Sequence, residues 1–199
     1  MIRHAERDPI IRMSNAIEAL LTDKGKKDAF DLGKRLTLRG PINLYHSPVP
    51  RCKQTAECIL EGFLSSKNSA RLTGSLMELG GPYITGNWLD ITNNLEKYGQ
   101  SQFVRKWFNN EICPDIIMPL QDAAKIQLDI LAGQLKSGIS AINITHDWNI
   151  MIVREYIFNL KHEVIGEPDF LDGFCAHIEH DDLHIHYHEN AKAIALHNM

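Results

Sequence analysis

Hydrophobic positions along the chain fall into two kinds of run that take turns. INLYHS (42–47) and ISAINIT (139–145) are short, apolar and closed by turn residues, which predicts buried strands, the second the clearest in the chain. RLTGSLMEL (71–79) carries a weaker alternation and predicts a further strand. Between these lie segments with helical spacing. TDKGKKDAFDLGKRL (22–36) puts Ala29, Leu32 and Leu36 on one face behind a Thr22 or Asp23 cap. PRCKQTAECILEGFL (50–64) carries Pro50 in the first turn, where a missing N–H leaves no bond unmade.

Residues 91–111 and 119–136 predict two helices parted by Cys113-Pro114 and Pro119, after a GGPYITGNW loop (80–88). DWNIMIVREYIFNL (147–160) predicts the helix that follows the clearest strand. In the tail, FCAHIEHDDLHIHYHE (174–189) predicts two antiparallel strands around an Asp181-Asp182 turn. Alternating strands and helices predict a three-layer α/β sandwich with a mostly parallel central sheet. An insertion at about 78–118 is expected to cover the mouth of its pocket.

At 199 residues the chain fits a single domain, and its 44% hydrophobic content is ample for a buried core. The formal charge of −4 argues against a nucleic-acid binder relying on overall positive charge, yet leaves room for a local anion pocket. No apolar run reaches the length of a membrane span, and MIRHAERDPI has no apolar h-region, so a cytoplasmic protein with no membrane partner is expected. Cys52, Cys58, Cys113 and Cys175 form no CxxC pair and read as reduced thiols rather than a zinc site or disulfide frame.

In open α/β sheets, ligands bind beyond the carboxyl ends of the strands. Three separate segments put polar residues there: RHAER at the start, YHSPVPR after INLYHS, and THD after ISAINI. Together they hold the parts for metal-free cleavage of a phosphate monoester. That reaction needs a nucleophile, fixed positive charge around the equatorial oxygens, and an acid for the leaving alcohol. His4 can attack and form a phosphohistidine. Arg3, Arg7 and Arg51, with His146, can clamp the phosphate, because a guanidinium fork donates two bonds at once and stays charged. Asp147 or Glu78 can supply the proton.

These residues also carry a resemblance. RHAERDP (3–9) is similar to the RHGxRxP motif of the histidine phosphatase superfamily, with alanine in place of the usual glycine. LTDKGKKDAFDLGKRL (21–36) resembles that family's LTxxGxxQAxxLGxxL helix, and YHSPVPRCKQTAE (45–57) its SSPxxRxxQTAE segment. ITHDWNI (144–150) resembles its second-histidine motif in the His-Asp form of the acid-phosphatase branch. The matches occur in family order, while residues 62–140 match only loosely.

The resemblance implies a phosphoglycerate mutase-like fold and a phosphatase acting on a small phosphorylated substrate, with no metal and no cofactor. It also implies His4 as nucleophile and Arg3, Arg7, Arg51 and His146 as phosphate ligands. Asp147 would be the proton donor in the acid-phosphatase manner, favoured by the RxP and HDxN patterns; in the mutase-like branch, which the chain length suits, the acid would be Glu78. A mutase is disfavoured because Glu6-Arg7 follow Ala5 where mutases carry RHGxSxWN. A non-catalytic phosphate-binding adaptor is the alternative from another class.

Other residues have plainer readings. Ser47 can either bond the phosphate pocket or shape its turn, the second being the plainer reading, and Gln54 and Thr55 follow at a helical spacing that can orient Arg51. His184, His186 and His188 alternate with Leu183, Ile185 and Tyr187, which makes a polar strand face opposite an apolar one; alternating histidines can also ligate zinc or nickel. Trp88, Trp107 and Phe108 read as core or pocket wall. Only Met1 and Ile2 precede Arg3, so any strand that carries His4 is very short or begins upstream of this sequence.

Overall fold

The computed structural model describes residues 1–10, 16–38, 41–66 and 68–198. Strands β1 (Ile2–Arg3), β2 (Ile42–His46), β3 (Ala70–Ser75) and β4 (Ala141–Thr145) form one parallel sheet in the spatial order β1-β4-β2-β3. Flanking it are α1 (Asp23–Arg35), α2 (Pro50–Ser65), α3 (Trp88–Tyr98), α4 (Gln100–Phe108), α5 (Leu120–Lys136), α6 (Asp147–Phe158) and α7 (His162–Ile165). This is the expected α/β class with a parallel sheet covered by helices. Among the described residues no helix is long and apolar enough to cross a membrane.

The period-2 pattern of the strands sorts the two faces. Ile42, Leu44, Ile142 and Ile144 pack with Ala29 of α1 and with Ala56, Ile59 and Phe63 of α2. On the opposite face, Asn143 exchanges two hydrogen bonds with Gln134 of α5, at 3.0 and 2.8 Å. There Leu128 and Leu131 of α5 meet Ile150 and Val153 of α6. Residues from the expected insertion gather a core of their own. Tyr83, Ile91, Phe103, Trp107 and Phe108 pack against Ala123 and Ala124 of α5 and Met151 and Ile152 of α6.

Several boundaries differ from the sequence pattern. The helix expected over 91–111 is two helices, because Gly99 at φ 74° closes α3 and opens α4. The strand expected to reach residue 79 ends at Ser75, where the chain curls into a 3-10 turn at Met77–Leu79. The tail forms a separate antiparallel sheet of β5 (Cys175–Glu179), β6 (Asp182–Tyr187) and β7 (Asn190–Ala195). Its first turn is His180-Asp181, both left-handed at φ 48° and 63°, as a two-residue hairpin requires; Asp182 is already paired with Glu179. His188 is not on the β6 face with His184 and His186. It sits at φ 50° in the next turn, with Nε2 2.9 Å from Asp172 Oδ1.

The shortness of β1 is offset by pairing on both edges. On one side Ile2 lies opposite Ile144 and Arg3 opposite Thr145. On the other, Ile2 bridges Gly173, the Arg3 N–H donates to the Asp172 carbonyl at 2.7 Å, and the Phe174 N–H donates to Met1 at 2.9 Å. Gly173 is needed there for closeness: a Cβ would lie 2.1 Å from the Met1 carbonyl oxygen. Two residues of strand thus become an internal strand, and His4 follows directly from it.

Candidate active site

Register brings the polar ends of three strands level. The His4 N–H donates to the Thr145 carbonyl and the Ser47 N–H to the Ile144 carbonyl, both at 2.9 Å. Arg3-His4, His46-Ser47 and Thr145-His146 therefore share the carboxyl edge of the sheet.

The His4 ring is buried, with 2% of the residue exposed. Its Nδ1 lies 2.8 Å from the Ala5 carbonyl, which can only accept, so Nδ1 carries the proton and Nε2 the lone pair. Arg51, in the first turn of α2, donates from Nε to that lone pair at 3.0 Å. Its other nitrogens reach the Ala16 carbonyl at 2.7 Å and His146 Nδ1 at 3.2 Å. His146 precedes α6, and with Nδ1 accepting from Arg51 its Nε2 donates to Ser47 Oγ at 2.8 Å. Ser47 therefore does more than shape a turn. It orients the second histidine while accepting the Val49 N–H at 3.2 Å.

Arg3 donates to Asp147 Oδ2 at 2.8 Å and lies over the Phe170 ring, 4.5 Å from its centroid. Asp147 Oδ1 accepts the Trp148 N–H at 2.9 Å, which fixes the carboxylate at the first residue of α6. Arg7 donates to the Asp8 carbonyl at 2.8 Å. The buried Nε atoms of Arg3 and Arg7 find no acceptor among the described residues.

The loop that carries these groups is pinned from behind. Thr55 Oγ1 accepts the Ala5 N–H and Gln54 Oε1 the Leu21 N–H, both at 3.0 Å. The pair thus supports the His4 loop as well as α2, since Thr55 also donates to the Arg51 carbonyl at 2.8 Å. Thr22 caps α1 by accepting the Gly25 N–H at 2.9 Å and donates to Glu6 Oε1 at 3.0 Å. Glu6 is thereby occupied in holding α1 against the loop.

The electrostatics favour an anion. Burial pushes the pKa of His4 down to about 2, with the positive charge of Arg51 and the neighbouring His146 adding to the effect. His146 is lowered as well, by burial first and Arg51 second. Both imidazoles are therefore neutral, leaving the three guanidiniums of Arg3, Arg7 and Arg51 against the carboxylate of Asp147. A phosphoryl dianion would balance that excess and supply the acceptors these donors are aimed to use.

Of the sequence-predicted residues, His4, Arg51 and His146 share one hydrogen-bonded network, and Arg3 pairs with Asp147 alongside it. Arg7 joins through the field of Arg3 and Asp147. Glu78 is not in that network. Its backbone carbonyl accepts from Gln127 at 2.9 Å, while its side chain is exposed on the 3-10 turn after β3 without a hydrogen bond among the described residues.

Two participants were missed from sequence. Phe170 packs its ring 5.7 Å from that of His4 as well as beneath Arg3. Cys52 Sγ lies 3.6 Å from His146 Nε2, its thiol pushed up to about 12 by burial. No spacing signal marks Phe170, because it reaches the pocket only through the return of residues 171–174 alongside β1. Trp107 and Phe108 are buried core, as expected, whereas Trp88 is 42% exposed.

The family model of the histidine phosphatase superfamily (branch 1) matches residues 1–112. No curated protein matches the chain in sequence. Among solved structures, a mycobacterial glucosyl-3-phosphoglycerate phosphatase is similar at TM-score 0.59 and 15% identity, covering 93% of this chain and 87% of that one. A phosphoglycerate mutase from Bacillus anthracis is similar at TM-score 0.53 and 13% identity, covering 98% and 89%. A mycobacterial hydrolase is similar at TM-score 0.58 and 14% identity, covering 98% and 94%. At such identities these likenesses establish a shared fold. The family model, the order of the motifs and the cluster at the sheet edge agree: the chain belongs to branch 1 of the histidine phosphatase superfamily.

Proposed function

We propose that the protein hydrolyses a phosphate monoester through a phosphohistidine on His4, with arginines in place of a metal. The observation that carries this reading is the buried, neutral His4, whose Nε2 lone pair faces Arg51 within a cluster holding more guanidiniums than carboxylates. The substrate's phosphoryl oxygens compete for Arg51 and Arg3. Arg51 turns from Nε2 to the phosphate and frees the lone pair; Arg3 turns from Asp147 and frees its carboxyl group.

In the first step Nε2 forms a bond to phosphorus while the bond to the leaving oxygen breaks, and that oxygen takes a proton from the carboxyl group. That group has picked the proton up from solvent or from a monoanionic substrate once Arg3 has left it. In the second step water bonds to phosphorus, the N–P pair returns to Nε2, and the water's proton passes to the same carboxylate. The hydrogen bond from Nδ1 to Ala5 holds the tautomer through both steps. Asp147 is the donor favoured by geometry, since it pairs with Arg3 and directly follows His146, whereas Glu78 has no such partner. Glu78 is the second candidate, because its carboxylate is unengaged and follows β3 at the same edge of the sheet.

A dephosphorylation screen across sugar phosphates, nucleotides and phosphoproteins, with wild type beside His4→Ala, tests the reading. Turnover of at least one class is expected in the wild type and should fall by at least about 10³-fold in the variant. Full activity in His4→Ala would overturn it.

A further inference from the structure

The tail sheet carries a second cluster of ligand-bearing side chains that the phosphatase chemistry leaves unused. Cys175, His177 and Glu179 alternate as the exposed positions of β5. Their register partners on β6 are His186, His184 and Asp182, so all six share one face. The other face is apolar and packs Leu183, Ile185 and Tyr187 into the core. On β7 the residues opposite His184 and His186 are Ala193 and Ala191, too small to cover the rings.

The imidazoles are arranged rather than scattered. The His177 ring lies 5.0 Å from that of His184 and 5.4 Å from that of His186, each at 17° from parallel. One ligand atom from each of His177, Glu179 and His184 falls within 4.8 Å of the other two. In a tetrahedral site with ligands at about 2.0–2.1 Å from the metal, such atoms stand about 3.4 Å apart. Rotation of exposed side chains closes that gap without moving the backbone. Two imidazole nitrogens and a carboxylate suit zinc and its neighbours, and imidazole and sulfur are among their preferred donors.

We propose that the exposed face of the β5–β6 hairpin binds a divalent transition-metal ion of the zinc class through His177, His184 and Glu179, with His186 as the side chain placed to complete the set. The site differs from the run of alternating histidines visible in the sequence. His188 leaves it for Asp172, and His177 enters from the preceding strand. The ion would link β5 to β6 just beyond the Gly173-Phe174 segment that pairs with β1, fastening the hairpin behind the His4 strand.

Calorimetric titration of the full chain with Zn²⁺ alone tests this. Glu155, His162 and Glu163 also hold ligand atoms within 4.8 Å of one another, so the reading is the difference between proteins. Wild type and His188→Ala should bind with one micromolar site more than His177→Ala/His184→Ala, or at least about tenfold more tightly at that site. Equal stoichiometry and affinity in wild type and double variant would overturn the site. Should the double variant not fold, histidine ring resonances of the wild type decide. One equivalent of Zn²⁺ should shift those of His177 and His184 and spare His188, and unmoved His177 and His184 signals would overturn it equally.

Discussion

A nucleophilic imidazole has to be uncharged on the nitrogen that attacks, and burial beside Arg51 and His146 favours that form of His4, whose pKa falls to about 2. His146 is lowered for the same reasons. In the unfolded chain both titrate near the ordinary histidine value of about 6.5. Below that pH the unfolded state binds more protons than the fold does, so these two residues lower stability progressively as the pH falls from about 6.5 and leave it flat above. Urea midpoints measured between pH 7 and pH 5 should decline on acidification; a midpoint that rises would contradict the assignment of neutral, buried rings. The proton donor belongs to the same scale. With an alkyl phosphate, Asp147→Asn should lower kcat by roughly 10²–10⁴-fold, and with an activated aryl phosphate by much less, because a good leaving group needs little protonation. If Glu78→Gln shows that leaving-group dependence and Asp147→Asn does not, the donor is Glu78.

At the scale of elements, the position of His4 depends on a two-residue strand held on both edges by partners from the C-terminal third of the chain. Gly173→Ala puts a methyl group 2.1 Å from the Met1 carbonyl, so β1 or the 171–174 segment has to move. The expected cost is about 1–3 kcal/mol of stability, with a loss of kcat on top as His4 shifts relative to Arg51. Thermal unfolding and kcat measured on one preparation check this, and an unchanged pair of values would show that β1 does not need the close contact. The same element shows what was legible in sequence. INLYHS and ISAINIT read correctly because buried parallel strands are continuous apolar runs. The 22–36 helix read correctly because its cap and apolar stripe are local. The partner of β1 did not, since residues 171–174 pair across almost the whole chain and carry no strand pattern. Gly99 inside an apolar stripe hid a helix break, and the NAKAIA stretch of β7 lacks the alternation that reveals a strand. That His4, Arg3, Arg51, His146 and Asp147 would gather at one edge of the sheet was readable because each ends or follows a strand or opens a helix. The choice between Asp147 and Glu78 was not, because it depends on where side chains point.

For the molecule as a whole, an overall charge of −4 surrounds a pocket with a local excess of guanidinium groups. The contrast suits a small dianion: only a ligand that enters the pocket meets the positive field at close range, where water does not screen it. The fold brings this about by stacking three strand ends at one edge and packing the residues between β3 and α5 into their own core on α5 and α6. At that edge His4 Nε2 is the atom that Arg51 faces. Rapid quenching of turnover with a substrate labelled on its phosphoryl group, followed by peptide mapping, asks directly whether that nitrogen becomes phosphorylated. An acid-labile label on the peptide containing His4, absent from His4→Ala, is the expected result; steady turnover with no phosphate on His4 at any quench time would contradict the mechanism.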